Sequence, residues 1–234
     1  MVHPQDDKFV HKLFTTIADH YDVMNSLMTL NRDKYWRNCA IREADLRPDN
    51  IVLDVCCGTG KLTFGLAEQV PNGKVIGVDF CEAMLNKAQK ALIKAHHNKR
   101  ITIMQANALA LPFDDNTFDC VITAFGLRNL PNVHKPIAEM YRVVRPGGKV
   151  ISLELAKPSA PVFKHMYYAY FEKALPLLGK LKLGKSGFYS WLPQSLKDYP
   201  HQQEIAEIFI KNGLHNVQYK DLTGGIASIH VGVK

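Results

Sequence analysis

The chain has 234 residues, 47% of them hydrophobic, and 29 Lys and Arg against 22 Asp and Glu give it a formal charge of +7. That length holds one domain with a sizeable core, and the apolar fraction excludes intrinsic disorder. No apolar run approaches about 18 residues, which excludes a membrane-spanning helix, and Met1 to Lys8 lacks the apolar stretch of a secretion signal.

Residues 6–20 read as a helix, because Phe9, Leu13, Phe14, Ile17 and Tyr21 recur at helical spacing. A second helix is expected over 33–45. From residue 51 onward, short apolar runs alternate with helical patterns. Strands are expected at 51–55, 74–78, 101–105, 118–123 and 149–155, with helices at 61–69, 82–95 and 132–143 between them. The turn Pro71-Asn72-Gly73 ends one of these helices, and Arg145-Pro146-Gly147-Gly148 stops another. This alternation predicts a parallel sheet with helices on both faces. After an aromatic, lysine-rich stretch, a helix is expected at 201–212. Strands at 217–222 and 226–233 follow, around the hairpin signal Thr223-Gly224-Gly225. The whole is expected to be an α/β fold of seven strands with a C-terminal antiparallel hairpin, the architecture of class I S-adenosylmethionine-dependent methyltransferases. It forms one domain over 1–234, with an N-terminal helical lid at 1–45 and a helical insertion at 157–198.

The stretch Ile51-Val52-Leu53-Asp54-Val55-Cys56-Cys57-Gly58-Thr59-Gly60 carries the most chemistry. A buried strand ends in a glycine turn and a helix N-terminus, the usual seat of a nucleotide-like cofactor. A second strand ends at Asp79, where a carboxylate can accept from ribose hydroxyls. A dinucleotide fingerprint needs a third glycine, and Lys61-Leu62-Thr63 supplies none. The loop therefore suits S-adenosylmethionine: Asp54 organises it near the methionine ammonium, and Gly58 and Gly60 let the backbone approach the ligand.

The five cysteines, at 39, 56, 57, 81 and 120, are odd in number and lack metal-ligand spacing. They are expected to be reduced packing residues of a cytoplasmic protein, and no metal is expected. Between Lys157 and Asp198 stand seven lysines and two acids, interleaved with Phe163, Tyr167, Tyr168, Tyr170, Phe171, Phe188, Tyr189 and Trp191. Such a segment suits an anionic membrane surface or nucleic acid. Lysine dominates it, whereas arginine is the better stacking partner for bases, and the chain carries no separate RNA-binding module. An RNA methyltransferase is thereby the weaker reading, and no nucleic-acid partner is expected.

Three further blocks narrow the reading: Tyr21-Asp22-Val23-Met24-Asn25 with Trp36 beyond it, Phe125-Gly126-Leu127-Arg128-Asn129, and Arg142-Val143-Val144-Arg145-Pro146-Gly147-Gly148-Lys149-Val150 with Glu154 closing the strand. Together with the glycine loop they resemble the menaquinone/ubiquinone biosynthesis C-methyltransferase family, from about Phe9 to the chain's end. The match departs at Thr29 and Asp33, where the family pattern has serine and histidine, and at Ala156, where it has a hydroxyl residue. A small residue at Ala124 looks more like the menaquinone branch.

The resemblance implies S-adenosylmethionine as cofactor, with Thr59 in its loop, Asp79 on the ribose, and Asn107 and Ala108 at the adenine edge. It implies a prenylated hydroquinone as substrate, methylated on a ring carbon. The naphthoquinol is the first candidate and the methoxybenzoquinol of ubiquinone biosynthesis the second. Arg128 is expected to stabilise the ionising phenol oxygen, with Asn129 as a second donor. Tyr21, Asp22 and Asn25 are expected to wall the ring, and Tyr167 lies in a cleft for the first isoprene units. Asp22, Asp33 and His20 stay open as proton acceptors. The lysines of the insertion are expected to hold the protein peripherally on membrane, and a homodimer stays open.

Overall fold

The computed structural model describes residues 7–95, 99–158 and 186–234. The strands are β1 (Ile51–Val55), β2 (Lys74–Asp79), β3 (Ile101–Gln105), β4 (Phe118–Ala124), β5 (Val144–Leu155), β6 (His215–Leu222) and β7 (Ala227–Val233). They form one sheet in the order β3-β2-β1-β4-β5-β7-β6. The first five are parallel, and β7 runs antiparallel between β5 and β6. Val52, Leu53 and Val55 are inaccessible to solvent. A central parallel strand is covered on both faces, which is why β1 reads as an apolar run rather than an alternation.

Helices α1 (Asp7–Ile17), α2 (Tyr21–Met28), α3 (Arg32–Ala44), α4 (Lys61–Gln69) and α5 (Glu82–Ala95) bury their apolar residues with one face of the sheet. On the other face lie α6 (His134–Val143) and α8 (Gln202–Lys211). Helix α7 (Ser186–Asp198) lies against the single 3-10 turn Leu127–Asn129 that follows β4. Among the described residues, no helix is long and apolar enough to cross a membrane.

Two expectations need correction. The first helix does not run to residue 20. It ends at Ile17, the chain turns through exposed Asp19 and His20, and Tyr21 opens a separate helix with Met24 and Met28 buried one turn apart. The Arg145-Pro146-Gly147-Gly148 segment is not a free turn before the fifth strand. It lies inside β5, where Val144 pairs with Phe118 and Lys149 with Cys120 across a register shift. A side chain at Gly148 would stand 2.7 Å from the Asp119 carbonyl oxygen, so the bulge brings backbone against backbone.

The hairpin turn at Thr223–Gly225 is as expected, with Gly224 and Gly225 both at positive φ. It also anchors the N-terminal helices: Trp36 Nε1 donates to Thr223 Oγ1 at 2.8 Å.

Candidate active site

In the strand order, β1 stands between β2 and β4, where the connections leave in opposite directions. Such a switch point opens a crevice at the carboxyl ends of the strands. Both loops that line it start from strained backbone: Cys56 after β1 and Phe125 after β4 have φ of 60° and 62°. They approach so closely that a side chain at Gly126 would stand 2.6 Å from Cys56 Cβ. Glycine in the Phe-Gly-Leu-Arg-Asn block is therefore a packing requirement.

One end of the crevice is lined by Asp79, Asn107, Ala108 and Leu109. Asp79 is held by the backbone N–H groups of Gly58 and Cys81, each at 2.9 Å, one on each carboxylate oxygen. Burial pushes its carboxyl up, and these donors pull it back down. Each oxygen keeps a lone pair for a further donor. Asn107 Oδ1 accepts from Leu109 N–H at 2.9 Å, which leaves its amide hydrogens free of that turn.

Asp54 sits beneath the glycine loop, on the other face of β1 from Leu53 and Val55. Thr63 Oγ1 donates to its Oδ2 at 2.6 Å, while Oδ1 is buried with no protein partner. Burial pushes its carboxyl up to about 7, against the Thr63 hydrogen bond. Neighbouring Cys56 and Cys57 are free thiols that burial holds well above their usual range, so they stay protonated.

The crevice continues past Tyr21, Gly58, Phe125 and Asn129 to a second end lined by Asn25, Asp33, Arg37 and Arg128. Arg128 is buried, and its Nη1 donates to Glu154 Oε1 at 2.6 Å and to the Phe125 carbonyl at 2.7 Å. Glu154 is buried as well. Its Oε2 accepts from Arg128 N–H and its Oε1 from Leu155 N–H. Arg128 is thus both paired and crevice-facing. Asn129 donates to the Phe125 carbonyl at 3.2 Å and accepts from Trp191 Nε1 at 2.9 Å, which ties α7 to the β4 loop.

Tyr21 is half-buried, and its phenol is pushed up by burial and drawn back by Arg128 and Asn25. Asp22 turns the other way. It accepts from Thr59 Oγ1 at 2.8 Å and lies 3.5 Å from Lys61 Nζ, so α2 is latched to the glycine loop. Of the three candidate proton acceptors, His20 is exposed and Asp22 is held by that latch. Asp33 lines the crevice but pairs with Arg37 at 2.6 Å. Tyr167, with the proposed isoprene cleft, lies outside the described residues. Among the described residues no three His, Cys, Asp or Glu gather as metal ligands.

Sequence reasoning gave no site role to four residues that organise this site. Thr63 holds Asp54, Glu154 holds Arg128, Trp191 holds Asn129, and Arg37 holds Asp33 while its guanidinium lies 5.1 Å from the Phe125 ring centre. Glu154 carries the clearest signal. An acid inside Val-Ile-Ser-Leu-Glu-Leu, a strand bound for the interior, demands a buried cation.

The model of the ubiE/COQ5 methyltransferase family matches residues 1–234. The chain is 44% identical to a demethylmenaquinone methyltransferase of Desulfitobacterium hafniense over 97% of its own length and 90% of that protein. It is 46% identical to one of Bacillus cereus over 96% and 95%. In fold it is similar to a SAM-dependent methyltransferase of Aquifex aeolicus, with a TM-score of 0.62 at 21% identity, covering 84% of this chain and 88% of that one.

Proposed function

Since this chain belongs to the ubiE/COQ5 methyltransferase family, we propose that it uses S-adenosylmethionine to methylate a ring carbon of demethylmenaquinol in menaquinone biosynthesis. The observation that supports this reading is the run of three adjoining pockets from Asp79 and Asn107, past Gly58 and Phe125, to Arg128. In this reading the Asp79 and Asn107 end takes the nucleoside and the Arg128 end takes the substrate oxygen. Nothing in the geometry favours the benzoquinol of ubiquinone biosynthesis.

The residues fit the cofactor. Asp79 would take the ribose hydroxyls, Asn107 and the Ala108 backbone the adenine edge, and Gly58, Thr59 and Gly60 would follow the amino-acid portion. The unpartnered Asp54 oxygen beneath the loop suits a ligand that brings positive charge. When bound, the cofactor supplies a methyl group activated on a sulfonium.

A phenol with a pKa near about 10 is scarcely ionised at neutral pH, and its ring carbon is then a poor nucleophile. In this reading Arg128, which lines the pocket, stabilises the oxygen as it ionises. A guanidinium is not deprotonated in proteins, so its role is electrostatic, without proton abstraction. Asn129 keeps one amide hydrogen beyond the one given to Phe125. Tyr21 and Asn25 wall the ring and hold its carbon in line, which is worth several kcal/mol. The ring hydrogen leaves as a proton, and Asp33 is a carboxylate that lines that end of the crevice.

The prenyl tail places the substrate in a membrane. We propose peripheral association through segment 157–198, supported by its seven lysines among aromatic residues, each lysine worth about 1 kcal/mol near anionic lipid. Free cysteines suit the cytoplasm.

Labelled methyl transfer to two reduced, short-tailed acceptors tests the substrate. Label is expected in the demethylnaphthoquinol, and label in the benzoquinol alone would overturn the reading. Asp54 predicts a pH dependence. With its carboxyl near 7, ionisation costs the empty protein stability as pH rises from about 4 through 7, and a bound cation relieves that cost. Cofactor affinity is therefore expected to rise between pH 6 and 7.5 with proton release, read by calorimetry in two buffers. Affinity that is flat with pH would contradict it. Vesicle binding is expected to need anionic lipid and to fade with salt, whereas equal binding to neutral vesicles would remove the lysines' role.

A further inference from the structure

The sheet face under α6 and α8 carries a row of polar side chains where a core should be apolar. Thr123 of β4 is in register with Ser152 of β5, and Ser152 with His230 of β7. Register partners project to one face, so the three stand side by side. Tyr199, in the connection before α8, and Gln202, the first residue of α8, cover them. All five are buried. Thr123 Oγ1, Ser152 Oγ, Tyr199 Oη, Gln202 Oε1 and His230 Nδ1 each lack a hydrogen-bond partner.

Their chemistry says what is needed. His230 Nε2 contacts the Gln202 carbonyl oxygen at 2.9 Å. A carbonyl only accepts, so Nε2 carries the hydrogen and Nδ1 presents a lone pair. Gln202 Oε1 likewise only accepts. Burial pushes the Tyr199 phenol up and Ser152 draws it back down, so the two hydroxyls are neighbours, although their geometry falls short of a full hydrogen bond. An orphan buried polar atom costs about 1–3 kcal/mol, and along this row Thr123 Oγ1, Gln202 Oε1 and His230 Nδ1 call for partners that the protein does not supply. Several polar groups facing a shared space are the setting in which internal water is found.

The row reaches the active site at both levels. Thr123 Oγ1 lies under the β4 loop, 3.0 Å from where a side chain at Gly126 would begin. Glu154 is two residues beyond Ser152 on β5 and therefore shares its face. The Arg128 it holds has its own Nε buried and unpartnered.

We propose that ordered water molecules fill this row, and that through them Tyr199 is a positioning residue that fixes Glu154 and, with it, the Arg128 guanidinium. The positioning role rests on the reading that Arg128 faces the substrate, whereas the hydration does not.

A high-resolution crystal structure of the intact protein should show waters within hydrogen-bond reach of Tyr199 Oη, Ser152 Oγ and His230 Nδ1. Tyr199→Phe removes one hydroxyl and keeps the ring. It should lower kcat roughly tenfold while KM for cofactor and quinol stays within about twofold. Ser152→Ala should act in the same sense and Ser152→Thr should restore the rate, a rescue that lost packing alone would not give. A dry row would overturn the hydration. Full kcat in Tyr199→Phe, alongside a strong loss in Arg128→Gln, would overturn the positioning role. Full kcat in both would instead overturn the reading of Arg128 itself.

Discussion

The buried ion pair between Arg128 and Glu154 is the interaction on which the rest of this site depends. Two charges removed from water are tolerated only when paired and further hydrogen-bonded, and breaking such a pair costs about 3–5 kcal/mol. Here both conditions are met: the carboxylate takes the guanidinium and two backbone N–H groups, and the guanidinium takes a carbonyl as well. The pair fastens the β4 loop to the end of β5. It fixes a cation at the crevice without an exposed, mobile side chain. The left-handed Phe125 and the glycine after it bring the loop into range.

Helices α2, α3 and α7 are each coupled to the same frame. Asp22 joins α2 to Thr59 and Lys61 of the glycine loop, Trp36 joins α3 to the terminal hairpin, and Trp191 joins α7 to Asn129. Helix α2, at the Asn25 and Asp33 end of the crevice, is thereby bonded to the glycine loop.

Much of this was legible in the amino-acid order. The alternation of strands and helices, the glycine loop and the terminal hairpin follow from periodicity and turn chemistry, which are local. The residues at both ends of the crevice were legible as types: an acid at the end of β2 and a guanidinium in the loop after β4. Partnerships were not legible, because they are set by which strands become neighbours. Glu154 meets Arg128 across 26 positions and Trp36 meets Thr223 across 187. Asp22 illustrates the limit. Its place beside Tyr21 suggested the substrate wall, yet one residue on a helix turns a side chain by about 100°, and it faces Thr59. The break between α1 and α2 was missed for a similar reason, since Tyr21 continues the apolar spacing of the first helix while opening the second.

The central claim is that a paired, buried Arg128 stabilises the ionising hydroquinol. Single-turnover methyl transfer by Arg128→Lys, with cofactor affinity measured in parallel, tests it most directly. Lysine can keep the charge against Glu154 but lacks the planar fork that serves a carboxylate and a second oxygen at once. The account predicts cofactor affinity within about threefold of the parent and a methyl-transfer rate lower by roughly a hundredfold. An unchanged rate, or a loss confined to cofactor binding, would contradict it.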